Sequence, residues 1–121
     1  MKEKLEEPID LFGYECGHGW FPYIQEAKEL IENYNKEHPD EEPVKFTQVK
    51  EKFGLLNIYL NRYPGNMHEK IYEIENKSYD VCEFCGSKGA TTKNTHGWIM
   101  TLCDKCREEE IERFNKRFDT K

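Results

Sequence analysis

The chain of 121 residues has no apolar run approaching the roughly 18 residues that a membrane-spanning helix needs, so no membrane partner is expected. Its first residues, Met1-Lys2-Glu3-Lys4-Leu5-Glu6-Glu7, contain no hydrophobic core, so a secretory signal is not expected either. Positive charge is not in excess: 18 Lys and Arg stand against 24 Asp and Glu, a formal net charge of −6. A surface that tracks phosphates usually shows a clear positive stripe, and none is evident. Internal repeats and low-complexity segments are absent. Cysteine is sparse, at five residues. With no signal, the expected compartment is the cytoplasm, where such thiols stay reduced. Mean hydropathy is only −0.96, which pulls toward disorder. Seven Phe, seven Tyr and two Trp pull the other way, because a solvated tail carries few such anchors. A folded domain with frayed ends follows, with a modest core at this length.

Residues 1–15 read as an acidic lead-in. Cys16-Gly17-His18-Gly19 reads as a tight, irregular loop. Pro22 suits a helix first turn, and Ile24, Ala27, Ile31 and Tyr34 recur at helical spacing, so an amphipathic helix is expected from about 22 to 37. His38-Pro39 ends it. Val44-Lys45-Phe46-Thr47-Gln48-Val49 is rich in β-formers, and Leu55 to Leu60 is a second strand. Lys50-Glu51-Lys52-Phe53-Gly54 reads as the short loop of an antiparallel hairpin. Met67, Ile71 and Ile74 mark a short helix, about 66 to 77. Residues 1–78 carry 10 basic against 16 acidic residues, which is the whole net charge, whereas 79–121 carry 8 of each. The expected division is an α+β unit over 1–78 and a finger over 79–121, together one compact body.

Cys82-Glu83-Phe84-Cys85 and Cys103-Asp104-Lys105-Cys106 are two C-x-x-C pairs separated by 17 residues. Two thiolates three positions apart reach one ion from a tight turn, and a second pair returned by a hairpin completes a tetrahedron. Four soft thiolates in that array suit Zn²⁺ and leave no open position, which argues against catalysis there. Between the pairs, Ala90-Thr91-Thr92-Lys93 and Trp98-Ile99-Met100-Thr101-Leu102 can pair as strands. After them, Ile111, Phe114 and Phe118 give a helical stripe. Knuckle, hairpin and a helix carrying the last ligands is the order of a treble-clef zinc finger. A redox reading would need one pair at a helix start in a βαβ context. The metal is expected to act as the staple a small core lacks.

Other residues invite functional readings. Cys16 and His18 could hold a second metal, but no further Cys or His pair completes the set, so a glycine-rich loop with a part-buried thiol is the simpler reading. A Cys16 nucleophile with His18 as base lacks an orienting acid. His96 and the Leu102 to Cys106 stretch invite comparison with HNH nucleases, but the partner residues of that catalytic metal site are missing, and Arg107 stands where such enzymes often have His. Trp20, Phe21 and Tyr23 could form a stacking platform for a partner, though core packing of one helix end is the commoner reading. Lys50, Lys52 and Arg62 make a weak basic face, interrupted by Glu51. The acidic run 40–42 and Glu108, Glu109 and Glu110 read as solvated faces that could also meet a basic protein surface.

Taken together, Gly19-Trp20-Phe21-Pro22, Gln48-Val49-Lys50-Glu51-Lys52-Phe53-Gly54, Cys82-Glu83-Phe84-Cys85-Gly86, Gly97-Trp98-Ile99 and Thr101-Leu102-Cys103 resemble a family of small proteins of phages, prophages and bacterial genomes. The resemblance spans roughly residues 13–107. That family has no established activity, so the resemblance implies only a phage or mobile-element setting and a zinc-finger C-terminal half.

The expectation is thus an α+β fold with a small antiparallel hairpin, helices and a C-terminal treble-clef-like finger. Function is expected to be non-catalytic: an accessory protein that binds a macromolecular partner, protein in preference to nucleic acid. In a phage setting, an anti-defence inhibitor acting in the host cytoplasm fits the size and acidity. A nucleic-acid-binding finger is the alternative, and an HNH remnant or a small-nucleotide binder using the 16–23 loop the third.

Overall fold

The structure is a computed structural model describing residues 16–119, with side chains described through residue 117. The expected lead-in over 1–15 and the side chain of Phe118 lie outside the described residues. The fold is α+β, with two antiparallel hairpins and three α-helices among the described residues. A short 3-10 turn (His18–Trp20) opens into α1 (Phe21–Glu37). Strands β1 (Phe46–Lys52) and β2 (Leu55–Leu60) follow, then α2 (Met67–Lys77). Strands β3 (Thr91–Asn94) and β4 (Ile99–Leu102) lead into α3 (Asp104–Asp119).

The helical spacing of Ile24, Ala27 and Ile31 buries one face of α1. Alternation does the same for Leu56, Ile58 and Leu60 on β2. With Trp20, Phe46, Val49, Met67, Ile71, Ile74 and Val81 these side chains form one core, the larger aliphatic ones adding roughly 1.5–3 kcal/mol each on full burial. The Asn35 side chain replaces missing loop pairing. Its Nδ2 donates to the Val44 carbonyl at 3.0 Å, and its Oδ1 accepts from the Val44 N–H at 2.8 Å, which fixes the return of the 38–43 loop.

Strand β1 is longer than the sequence suggests. Lys50, Glu51 and Lys52 are ladder residues opposite Asn57, Leu56 and Leu55, not loop. The turn is only Phe53-Gly54, with φ of 56° and 80°. Two consecutive positive φ values are the pattern of a type I′ turn, which matches strand twist. Asn or Gly is the usual first residue there; a bulky Phe pays roughly 1 kcal/mol in left-handed backbone. Glu51 offsets part of this, since its carboxylate accepts the Gly54 N–H at 2.6 Å. Gly54 itself is obligatory for a further reason. A Cβ there would lie 2.8 Å from Thr92 Cγ2, and its carbonyl accepts the Thr101 hydroxyl at 2.5 Å. The first hairpin's turn therefore seats directly on the second hairpin.

Candidate metal centre

Two turns present the four thiols. In the first, the Cys82 N–H donates to the Ser87 carbonyl at 2.8 Å and the Gly86 N–H to the Cys82 carbonyl at 2.9 Å, closing a knuckle that Gly86 completes at φ 84°. The Glu83 N–H donates to the Thr101 carbonyl at 3.0 Å, so the knuckle is bonded to β4. In the second, Cys103 immediately precedes α3 and Cys106 lies in its first turn. The order is knuckle, hairpin, helix, as expected from the sequence.

The four Sγ atoms lie within 4.8 Å of one another, with Cys85 and Cys103 sulfurs 3.7 Å apart. Zn–S bonds of about 2.3 Å in a tetrahedron would place sulfurs about 3.8 Å apart. The donor set and spacing therefore fit a tetrahedral, thiophilic metal ion. Backbone N–H groups point at two sulfurs: Cys85 N at 3.5 Å from Cys82 Sγ, and Cys106 N at 3.4 Å from Cys103 Sγ. Such donors stabilise thiolate over thiol. The Ser87 hydroxyl and N–H bring the Cys85 thiol down to about 6, and the Cys106 N–H lowers Cys103. Burial raises Cys106, and the neighbouring sulfurs add to it. Four anionic sulfurs this close repel one another unless a cation sits between them.

Arg107, the residue after the last thiol, is 7 % exposed. Its guanidinium donates to the carbonyls of Thr91, Lys93 and Leu102 and to the Thr95 hydroxyl. It clamps both strands of the finger hairpin to α3. Its role had no sequence signal beyond its place after Cys106. His96 is a turn histidine, as expected: its Nε2 is 2.9 Å from Glu110 Oε2 and its ring stacks on Phe114 at 4.3 Å.

The Cys16 to Tyr23 segment belongs to the join between finger and core. The Gly19 N–H donates to the Glu83 carbonyl at 2.6 Å and the Gly17 N–H to Glu83 Oε2 at 3.0 Å. A Cβ on Gly19 would lie 2.1 Å from the Cys82 carbonyl oxygen, so glycine is required for this approach. Cys16 stands apart from the four-thiol cluster, and burial, with Glu83 and Glu51 nearby, pushes its thiol up to about 12. A thiol so disfavoured as thiolate is a poor nucleophile at neutral pH. Glu83 is itself 6 % exposed, and burial raises its carboxyl to about 7.

The partner-binding candidates separate on burial. Trp20 is no partner-binding residue: it is 0 % exposed and its indole N–H donates to the Val81 carbonyl at 2.9 Å, which is core packing, the commoner reading of such a ring. Tyr23 is half-buried against the same core, and Phe21 is exposed beside His18, ring centroids 4.7 Å apart. Lys50 and Lys52 share the outer face of β1 near its turn. Arg62 lies beyond the far end of the hairpin and donates to the Glu42 carbonyl at 2.8 Å and Glu41 at 3.4 Å. It is therefore not part of one patch with the two lysines. No helix among the described residues is long and apolar enough to cross a membrane. No family model, curated protein or solved structure matches the chain.

Proposed function

We propose that the protein is a non-catalytic binding module whose finger is held together by one structural Zn²⁺. The observation that supports this is the convergence of four thiols, all from the protein, at tetrahedral spacing. A zinc so ligated has no vacant position for water or substrate, so its contribution is folding free energy, not Lewis acidity. What the metal secures is the orientation of the second hairpin against the turn of the first, and with it the exposed rings that surround their junction. Such a module acts on a macromolecular partner. The resemblance of the sequence strings to phage and prophage proteins supports a setting in a host cytoplasm, with inhibition of a host defence protein as the use we propose there. Purified protein should carry one zinc per chain and lose it when Cys106 is replaced by Ala. A metal-free wild type that folds normally would overturn the reading. For the host-protein use, a pulldown from host lysate that recovers no stoichiometric protein would count against it.

A further inference from the structure

Phe53 and Trp98 take no part in the four-thiol cluster. Phe53 is 68 % exposed and Trp98 59 %, and both line a groove of about 410 Å³ between the two hairpin turns, with Lys52, Glu51, Gly97 and Ile99. An exposed Phe at φ 56° is an outlier, since Asn or Gly would relieve the backbone and a ring left mostly in solvent gains little burial. Strain retained at an exposed ring points to a use for that ring.

The groove continues onto the outer face of the first hairpin through Lys52. The register places Gln48, Lys50 and Lys52 there on β1, opposite Tyr59, Asn57 and Leu55 on β2. This face holds two cations and no carboxylate, in a chain whose net charge is −6. Glu51, the one carboxylate of the groove, is turned to the Gly54 N–H at 2.6 Å. Charge is thus locally reversed next to two exposed aromatic rings.

We propose that this groove and face bind single-stranded nucleic acid, with unpaired bases stacking on Trp98 and Phe53 and phosphates meeting Lys52 and Lys50. Stacking needs flat rings open to solvent and a cation nearby for the backbone, and both are present here. A basic protein surface would be repelled by the lysines. A second copy of the chain would answer the rings but would bring its own two lysines. Duplex does not fit, because its bases are already stacked. The proposal rests on the binding-module reading, whose failure shows separately, as loss of fold-dependence on zinc.

The test uses the zinc-loaded full chain and oligo(dT) about 15 nucleotides long, followed by anisotropy of a labelled strand and by tryptophan emission. Trp20 is fully buried, so quenching reports Trp98. Binding should appear at micromolar protein in low salt, weaken as salt rises, and exceed that of a duplex of equal length. Trp98→Ala should lower affinity roughly tenfold or more, and Lys50→Glu with Lys52→Glu should lower both affinity and salt dependence. Phe53→Gly should weaken binding while raising thermal stability, a pairing that a structural role cannot give. No anisotropy change at about 100 μM protein in low salt overturns the proposal. So does equal binding of duplex, or full affinity in a Trp98→Ala, Phe53→Gly double variant. Binding of an acidic, apolar peptide at this groove with no oligonucleotide binding also overturns it, and assigns the groove to a protein partner.

Discussion

The two halves of the molecule hold their shape by different means. The first is built on fourteen buried apolar residues: Trp20 of the 3-10 turn, Val44 before β1, Val81, and eleven from α1, α2 and the first hairpin. The finger buries only Cys82, Ala90, Met100, Leu102 and Cys106 in its own cluster, and two of those are candidate metal ligands. One half is stabilised by apolar area removed from water. The other has too little such area; a buried arginine and a four-thiol cluster that could hold a metal ion stand in its place. They meet where Trp20 and Gly19 bond to the Val81 and Glu83 carbonyls, and where Gly54 receives the Thr101 hydroxyl.

The largest expected effect sharpens that contrast. Cys106→Ala, or strong chelation, should unfold residues 82–119 and leave the first core folded but less stable, read by residue-resolved NMR. Structural zinc contributes on the order of 10 kcal/mol in small fingers, far above what five buried residues supply. Uniform loss of both halves would mean they fold as one unit; loss of neither would remove the metal from the account. Next in size, Ile31→Ala should destabilise the first half by about 3 kcal/mol in denaturant unfolding while zinc affinity stays unchanged. Arg107→Met should cost about 2–3 kcal/mol and loosen β3 and β4, since several buried carbonyls lose a charged donor.

The smallest effect tests the first half alone. Burial raises the Glu75 carboxyl above its ordinary 4.5, against the Ile58 N–H and His68, which pull it down. The folded state then binds the proton more tightly than the unfolded chain. The contribution of Glu75 to stability is greatest below 4.5 and declines as pH rises through the window between 4.5 and the raised value, then levels. Glu75→Gln should flatten that decline, while its amide oxygen can still accept the Ile58 N–H. An unchanged pH profile would assign the decline to other groups.

How much was legible in the sequence follows the same division. The four-thiol cluster was, because ligand spacing is a local property: each C-x-x-C encodes its own turn. The helices were, because 3.6-residue periodicity survives without tertiary information. The hairpin loop reads three residues too long, taking in Lys50, Glu51 and Lys52, because Phe is not a turn residue; the seat of Gly54 against Thr92 and Thr101 shows why the chain turns at Phe53-Gly54. Trp20 looked available for stacking because the partner of its indole, the Val81 carbonyl, lies 61 positions away. Arg107 was silent for the same reason, since its acceptors belong to strands preceding it.

The claim on which the account depends is that zinc, not apolar burial, organises the C-terminal half. Hydrogen exchange resolved along the chain, measured on the zinc-loaded protein and again after quantified zinc removal, tests it most directly. One zinc per chain, with protection of β3, β4 and α3 collapsing on its removal while α1 and β2 stay protected, is the predicted result. A chain purified without bound metal that shows the same protection in β3, β4 and α3 would contradict it.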